Sequence, residues 1–303
     1  MRGALTVMTK RAAVVGATGA REVDVQLNRV KAAVLLVALS AVGVVIGSWF
    51  GPVGLAVAAV GVVAFDGYVY LRADAIVLRA MRAYPVSEAE QPALYRVVRE
   101  LTAPARVPMP RVYVSPTKAV NAFATGRGPA RAAVCCTEGI LALLDERELR
   151  GVVGHELAHI RRGDTVVSSM AGAAASVVMV AAGLRVFGGD GDRVGAAGRV
   201  LLIVLGPLAA AIVRVSVSPA REYEADAEAT RITGDPLGLA GALRKLDTST
   251  RTLVLPPERD IVATSHLMIA SPLQQTGIAR LFATHPPMAE RVARLEQRAG
   301  YRR

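Results

Sequence analysis

From Ala32 to Phe65 the chain carries no charged side chain. A run of that length is too long for one straight membrane crossing, which takes about 20 residues, and it suits two tight ones. The break falls at Ser48–Gly54, where Gly and Pro turn the chain and Trp49 suits a membrane interface. Arg29 and Lys31 precede the pair and Arg72 and Arg79 follow it, with none in the turn, so both outer ends are expected on the cytoplasmic side. A second apolar pair follows. Thr165 to Leu184 is uncharged and spans about 30 Å as helix. A Gly-rich turn comes next, and Val200 to Val213 resumes the apolar run, with Pro207 inside it and Arg214 behind. This pair could instead be a buried helix pair of a soluble domain. The spanning reading places Arg214 snorkelling toward the cytoplasmic interface.

Composition agrees with a chain that partly faces lipid: 52% of residues are hydrophobic and the mean hydropathy is +0.39. The net charge of +11 raises the question of nucleic acid. No aromatic-studded basic stripe or nucleic-acid motif accompanies it, and arginines at helix ends against anionic lipid account for it better. The two cysteines, Cys135 and Cys136, are adjacent. That spacing suits neither an ordinary disulfide nor a zinc knuckle, so they read as apolar strand residues in a reducing compartment.

The remaining segments are polar and mixed. Ser87 opens a helix with acidic residues behind it, expected to run on toward Ala105. RVYVSP, NAFATG and AAVCCT are short β-forming runs, and GRGPAR between the last two reads as a hairpin connection. MAERVARLEQRAG is a closing amphipathic helix.

The chemistry concentrates in DERELRGVVGHELAHIRRG. Asp145 and Glu148 make a capping-box start, and Leu149, Val152, Val153, Leu157 and Ile160 recur at helical spacing. His155 and His159 then leave one face, one turn apart, as two imidazoles that can hold one Zn²⁺. Glu156 lies beside them, placed to take a proton from water. Catalytic zinc needs a further protein ligand. SPAREYEADAEATRITG offers one on a second helix, with Ser218 and Pro219 at its start and Gly234 at its end. Glu222 and Asp226 share a face there. One of them can ligate the metal while the other accepts the second N–H of a ligating histidine. Asn121 to Gly126 is a candidate edge strand, to which an extended substrate could add through Asn121, Ala122, Phe123 and Ala124.

Four motifs in order, VVGHELAHIRRGD, REYEADA, NAFATG and THPPMAERVARL, resemble the M48 zinc metallopeptidases, in particular the HtpX type of prokaryotic membranes. The resemblance runs from about residue 28 to about residue 298. It implies a mainly α fold with a small β-sheet, a gluzincin-like α+β peptidase domain, on the cytoplasmic side of four transmembrane helices in two hairpins. It implies that Glu222 is the third zinc ligand and that Asp226 supports a ligand. By the same similarity His285 and Arg291 line the active cleft, whereas His266 has no such support. The chain departs from the family's frequent Asn-Arg-Asp after the zinc helix, with Arg162, Gly163 and Asp164 there.

The expected organisation is a cytoplasmic extension at 1–31, a membrane hairpin at 32–71, and the first part of the peptidase domain at 72–164. A second hairpin at 165–217 and the rest of the domain at 218–303 complete it. The expected activity is that of an integral-membrane zinc endopeptidase of the prokaryotic cytoplasmic membrane, with one Zn²⁺ per chain and both termini cytoplasmic. Polypeptides, in particular misfolded or damaged membrane proteins, are the expected substrates. His285 would stabilise the developing oxyanion; its plainer role is a helix cap before Pro286. A membrane signalling or scaffold protein with a zinc-stabilised, catalytically silent domain is the competing reading. Structural zinc usually takes four protein ligands, and the intact Glu156 argues against it.

Overall fold

A computed structural model describes residues 47–171, 219–252 and 286–300, together with residue 173 and single helical positions between 30 and 45. The extension at 1–29 and most of the second apolar pair lie outside the described residues.

The described positions from 30 to 48 are helical, and the chain turns at Trp49–Phe50, inside the expected break. Helix α1 then runs Gly51–Ala80, with Pro52 in its first turn, where a missing N–H costs nothing. Ser40 donates to the Asp66 carboxylate, so the chain before the turn lies back along α1. The first part of α1 is apolar yet bare: Val53, Val57, Val60 and Val63 are exposed, whereas Val69, Ala73 and Val77 are fully buried. Among the described residues α1 alone is a helix long and apolar enough to cross a membrane. The expected boundary at 71/72 falls within α1, which continues unbroken past it to Ala80. There it packs on the start of the third apolar run, where residues 164–171 are helical, through Val69 and Ala73 against Val167, Met170 and Ala171.

After α1 come β1 (Tyr84–Pro85), α2 (Pro92–Ala105), β2 (Arg111–Ser115), β3 (Ala122–Thr125) and β4 (Ala133–Thr137). The helix expected from Ser87 starts later. Ser87 N–H and Oγ–H both donate to Glu90, closing a turn, and Pro92 sets the first helical residue. The strands form one mixed sheet in the order β1-β2-β4-β3. β2 and β4 are parallel, with Val112 opposite Val134; β3 lies antiparallel to β4, with Phe123 opposite Cys135. β3 therefore takes the outer edge, and residues 126–132 form the expected hairpin connection.

The short α3 (Glu138–Leu143) leads into α4 (Glu146–Arg162), which is followed by α5 (Pro219–Thr233), α6 (Pro236–Thr252) and α7 (Met288–Arg298). Strand alternation splits the two cysteines. Cys136 joins the main core with Leu94, Val98, Leu157 and Leu243, between the sheet and its helical layer. Cys135 faces Val77, Leu78 and Met81 at the end of α1. Both are free thiols, and burial pushes Cys136 up to about 12. The fold is thus mainly helical with a small mixed sheet, held between a helical layer and the end of α1.

Candidate metal centre

α4 begins with the capping box read from the sequence: Asp145 accepts from the Glu148 N–H, and Glu148 accepts from the Asp145 N–H. The helix can lie tightly against α6 because Gly151 has no side chain; a Cβ there would sit 2.6 Å from Leu239 N. Buried ion pairing of Arg161 with Glu228 joins α4 to α5. α4 and α5 pack with their ligand-bearing faces toward each other.

Three donor atoms converge between them. His155 Nε2 and His159 Nε2 are 3.1 Å apart. Glu222 Oε2 is 3.6 Å from His155 Nε2, and Glu222 Oε1 is 3.5 Å from His159 Nε2. Ligands held about 2.0–2.1 Å from tetrahedral zinc are separated by about 3.4 Å, and these spacings, with one carboxylate oxygen toward each imidazole, lie near that value. The histidine tautomers point the same way. His155 Nδ1 lies 3.0 Å from Asp226 Oδ1, and His159 Nδ1 lies 3.1 Å from Asp164 Oδ2. Each ring that donates its Nδ1–H to a carboxylate turns a bare Nε2 lone pair inward. Two imidazole nitrogens and a carboxylate facing one point can share a cation, and this donor set suits Zn²⁺. Burial pulls the His155 imidazole down, but the Asp226 and Glu222 carboxylates outweigh it and hold the metal-free ring up at about 9.

Arg291, expected at the cleft, is fully buried and lies against His155 and Glu222. Its Nε and Nη2 grip Asp226 at 2.9 and 2.7 Å, and its Nη1 lies 3.3 Å from Glu222. Burial pushes the Asp226 carboxyl up, and the Arg291 charge reverses this, holding it down at about 2. Glu156 is also buried. Burial raises its pKa, partly offset by His155 and His159, and it accepts from the Ala124 N–H. That bond connects the glutamate to the edge strand.

Asn121 turns its carbonyl toward β4, where it accepts from the Thr137 N–H. By the alternation of an antiparallel pair, Ala122 and Ala124 direct their backbone groups away from β4, toward the outer edge. The Ala122 N–H is taken by Asn121 Oδ1. Phe123 points to the opposite face, into the cluster beneath α1. The structure thus gathers His155, Glu156, His159, Glu222, Asp226 and Ala124 around one point, with Arg291 beneath; His285 lies outside the described residues. The sequence reading missed Asp164 and took it only as part of the helix exit. The available signal was Gly163, whose left-handed φ of 73° folds the chain back at the helix end and returns the next side chain toward His159.

Comparisons with known proteins bear on this geometry. Residues 88–299 match the family described as Peptidase family M48. A protein named Protease HtpX homolog from Kineococcus radiotolerans is 54% identical over 289 residues, covering 91% of this chain and 98% of its own. Proteins of the same name are 50% identical in Paenarthrobacter aurescens, over 78% of this chain and 83% of theirs, and 40% identical in Paraburkholderia phytofirmans, over 90% and 97%.

Proposed function

The chain belongs to peptidase family M48 and is a zinc metallopeptidase, and from that premise we propose that it cuts polypeptides at the centre formed by His155, His159 and Glu222. The observation that carries this assignment is the convergence of two Nε2 atoms and a carboxylate at tetrahedral spacing, with Glu156 buried beside them. Those three residues would hold one zinc ion per chain, which when bound supplies Lewis acidity to a carbonyl and to a water. Glu156 takes the water's proton as general base and returns it to the leaving amine. Its burial favours this role, because a carboxyl raised above its ordinary range is closer to the operating pH.

The substrate strand adds alongside β3, whose Ala122 and Ala124 carbonyls are directed to the outer edge. The Ala124 N–H bond to Glu156 keeps that strand in register with the base. Asp226 orients His155, and Arg291 holds Asp226, as a positioning residue. His285 is the proposed group for the developing oxyanion, on the family likeness of the HPPMAER run. The fully silent, zinc-stabilised alternative calls for a fourth protein ligand, and among the described residues three donors converge.

The proposed setting is the prokaryotic cytoplasmic membrane. Four spans, two of them flanking Trp49–Phe50 and two between 165 and 217, leave the peptidase domain on the cytoplasmic side. Arginine flanks and the bare apolar part of α1 support this. A cleft directly beneath a span favours unfolded loops and tails of membrane proteins, in keeping with quality control of damaged ones.

The test is metal content and casein cleavage of the detergent-purified protein, with and without chelator. One zinc per chain and chelator-sensitive cleavage are expected. A metal-free preparation that cleaves casein at the same rate would overturn the assignment.

A further inference from the structure

We propose that Asp164 is a positioning residue of the metal centre, which fixes the ring of His159 and, through Arg221, ties the exit of α4 to the first turn of α5. The proposal rests on the zinc reading above.

Asp164 is 3% exposed and follows directly on the left-handed Gly163. Its Oδ2 lies 3.1 Å from His159 Nδ1 and 3.2 Å from Arg162 Nε, and its Oδ1 lies 3.5 Å from Arg221 Nη1. Nitrogens of His159, Arg162 and Arg221 face its two oxygens, so the carboxyl group meets donors on both sides. With His159 Nδ1–H donating to it, Nε2 is left as the lone pair that faces His155 and Glu222.

The arrangement repeats what surrounds the other histidine. His155 donates to Asp226, which is held by Arg291; His159 donates to Asp164, which is reached by Arg221. Both arginines are buried. The two relays differ in where they lead. Arg291 belongs to the last helix, whereas Arg221 is the residue beside Glu222. Asp164 precedes the third apolar run, and Arg221 stands just after the fourth. Their contact closes the two ends of the second apolar pair against each other at the level of the metal. Asp164 thus acts on two ligands, on the ring orientation of His159 and on the placement of the helix that presents Glu222.

The experiment is zinc competition against a chromogenic chelator, with zinc alone as the probe, on the full chain in detergent. Asp164→Ala is expected to weaken zinc about 10–100-fold, as the loss of an outer partner of a ligand usually does. Asp164→Asn keeps the volume and one acceptor, and it is expected to weaken zinc about 3–10-fold, between parent and Ala. Glu228→Gln is the control. It removes the Arg161 ion pair between the same two helices, so it should lower the unfolding temperature while zinc affinity stays at the parent value. Parent affinity in Asp164→Asn, or equal zinc loss in Glu228→Gln and Asp164→Ala, would overturn the proposal. If the Ala variant does not fold, the Asn variant decides alone. A parent that binds no zinc removes the metal reading itself; a parent with one zinc and an indifferent Asp164→Asn removes only this proposal.

Discussion

Ser169 Oγ lies 2.7 Å from Thr125 Oγ1 and accepts from the Gly126 N–H at 2.9 Å. The helix that starts the third apolar run thereby holds the tip of the edge strand. Ser169→Val leaves the buried Thr125 hydroxyl and Gly126 N–H without this partner, at a cost of about 1–3 kcal/mol for each. The expected result is a lower unfolding temperature and a raised KM for casein, with one zinc still bound. Unchanged KM in a folded variant would disconnect Ser169 from the substrate strand.

Glu156→Gln should retain zinc and lose turnover by about 10²–10⁴-fold. The amide matches the carboxylate in size, so the fold is kept while the base is removed. Zinc content and single-turnover cleavage decide it; wild-type cleavage by this variant rules Glu156 out as the base.

Glu222→Ala and Asp226→Ala should separate by mechanism. The first removes a donor atom, so zinc should be lost almost entirely at chelator concentrations the parent withstands. The second weakens zinc about 10–100-fold. It also strands the buried Arg291, a loss of about 3–5 kcal/mol in stability. Chelator competition and thermal unfolding measured on both variants give the comparison, and parent-like zinc binding by Glu222→Ala excludes it as a ligand.

Metal uptake should depend on pH with a defined sign. His155 in the metal-free protein is pulled down by burial and held up at about 9 by Asp226 and Glu222, above its unfolded value of about 6.5. The stability this proton contributes is fully present below about pH 6.5 and is lost as pH rises through 9. Zinc must displace the same proton, so its affinity should climb about tenfold per pH unit between 7 and 9. Calorimetry in two buffers of different ionisation enthalpy should find close to one proton released per zinc at pH 7.5. Release of none contradicts the protonated ring.

Topology follows from charge and length. Cysteines introduced at 188–198 should be labelled from outside the cell, and those near Lys118 or Arg259 should not. External labelling near Lys118 would place the peptidase domain on the other side of the membrane.

What the sequence revealed and withheld divides along physical lines. His155 and His159 were legible as a pair because one helical turn fixes their relation without any tertiary contact. The same holds for Asp145 with Glu148 and for the strand runs around Tyr113 and Phe123. Ser87 was misread because its hydroxyl satisfies Glu90 in a local turn, a competitor that helix patterning does not weigh against Pro92. Arg291 drew its expected place at the cleft from family likeness alone; its hold on Asp226 depends on the packing of α7 against α5, which no local pattern encodes. Asp164 escaped notice because its partnership with His159 depends on one left-handed residue, Gly163, rather than on a periodic pattern.

The unbroken course of α1 has a mechanical consequence. From the turn at Trp49–Phe50 to Ala80 there is no hinge, and β1 begins at Tyr84. The apolar stretch and the underside of the sheet are therefore locked in helical phase. A residue inserted between Arg72 and Val77 would advance everything beyond it by about 1.5 Å and rotate it by about 100°. Val77 would then swing away from Phe123 and Cys135, whereas an insertion of four, close to one whole turn, would return it to nearly the same bearing and merely lift the sheet. The protein thus meters the distance of its edge strand from the bare apolar stretch of α1 in whole turns, and the compass direction in which that strand faces is set by the same helix.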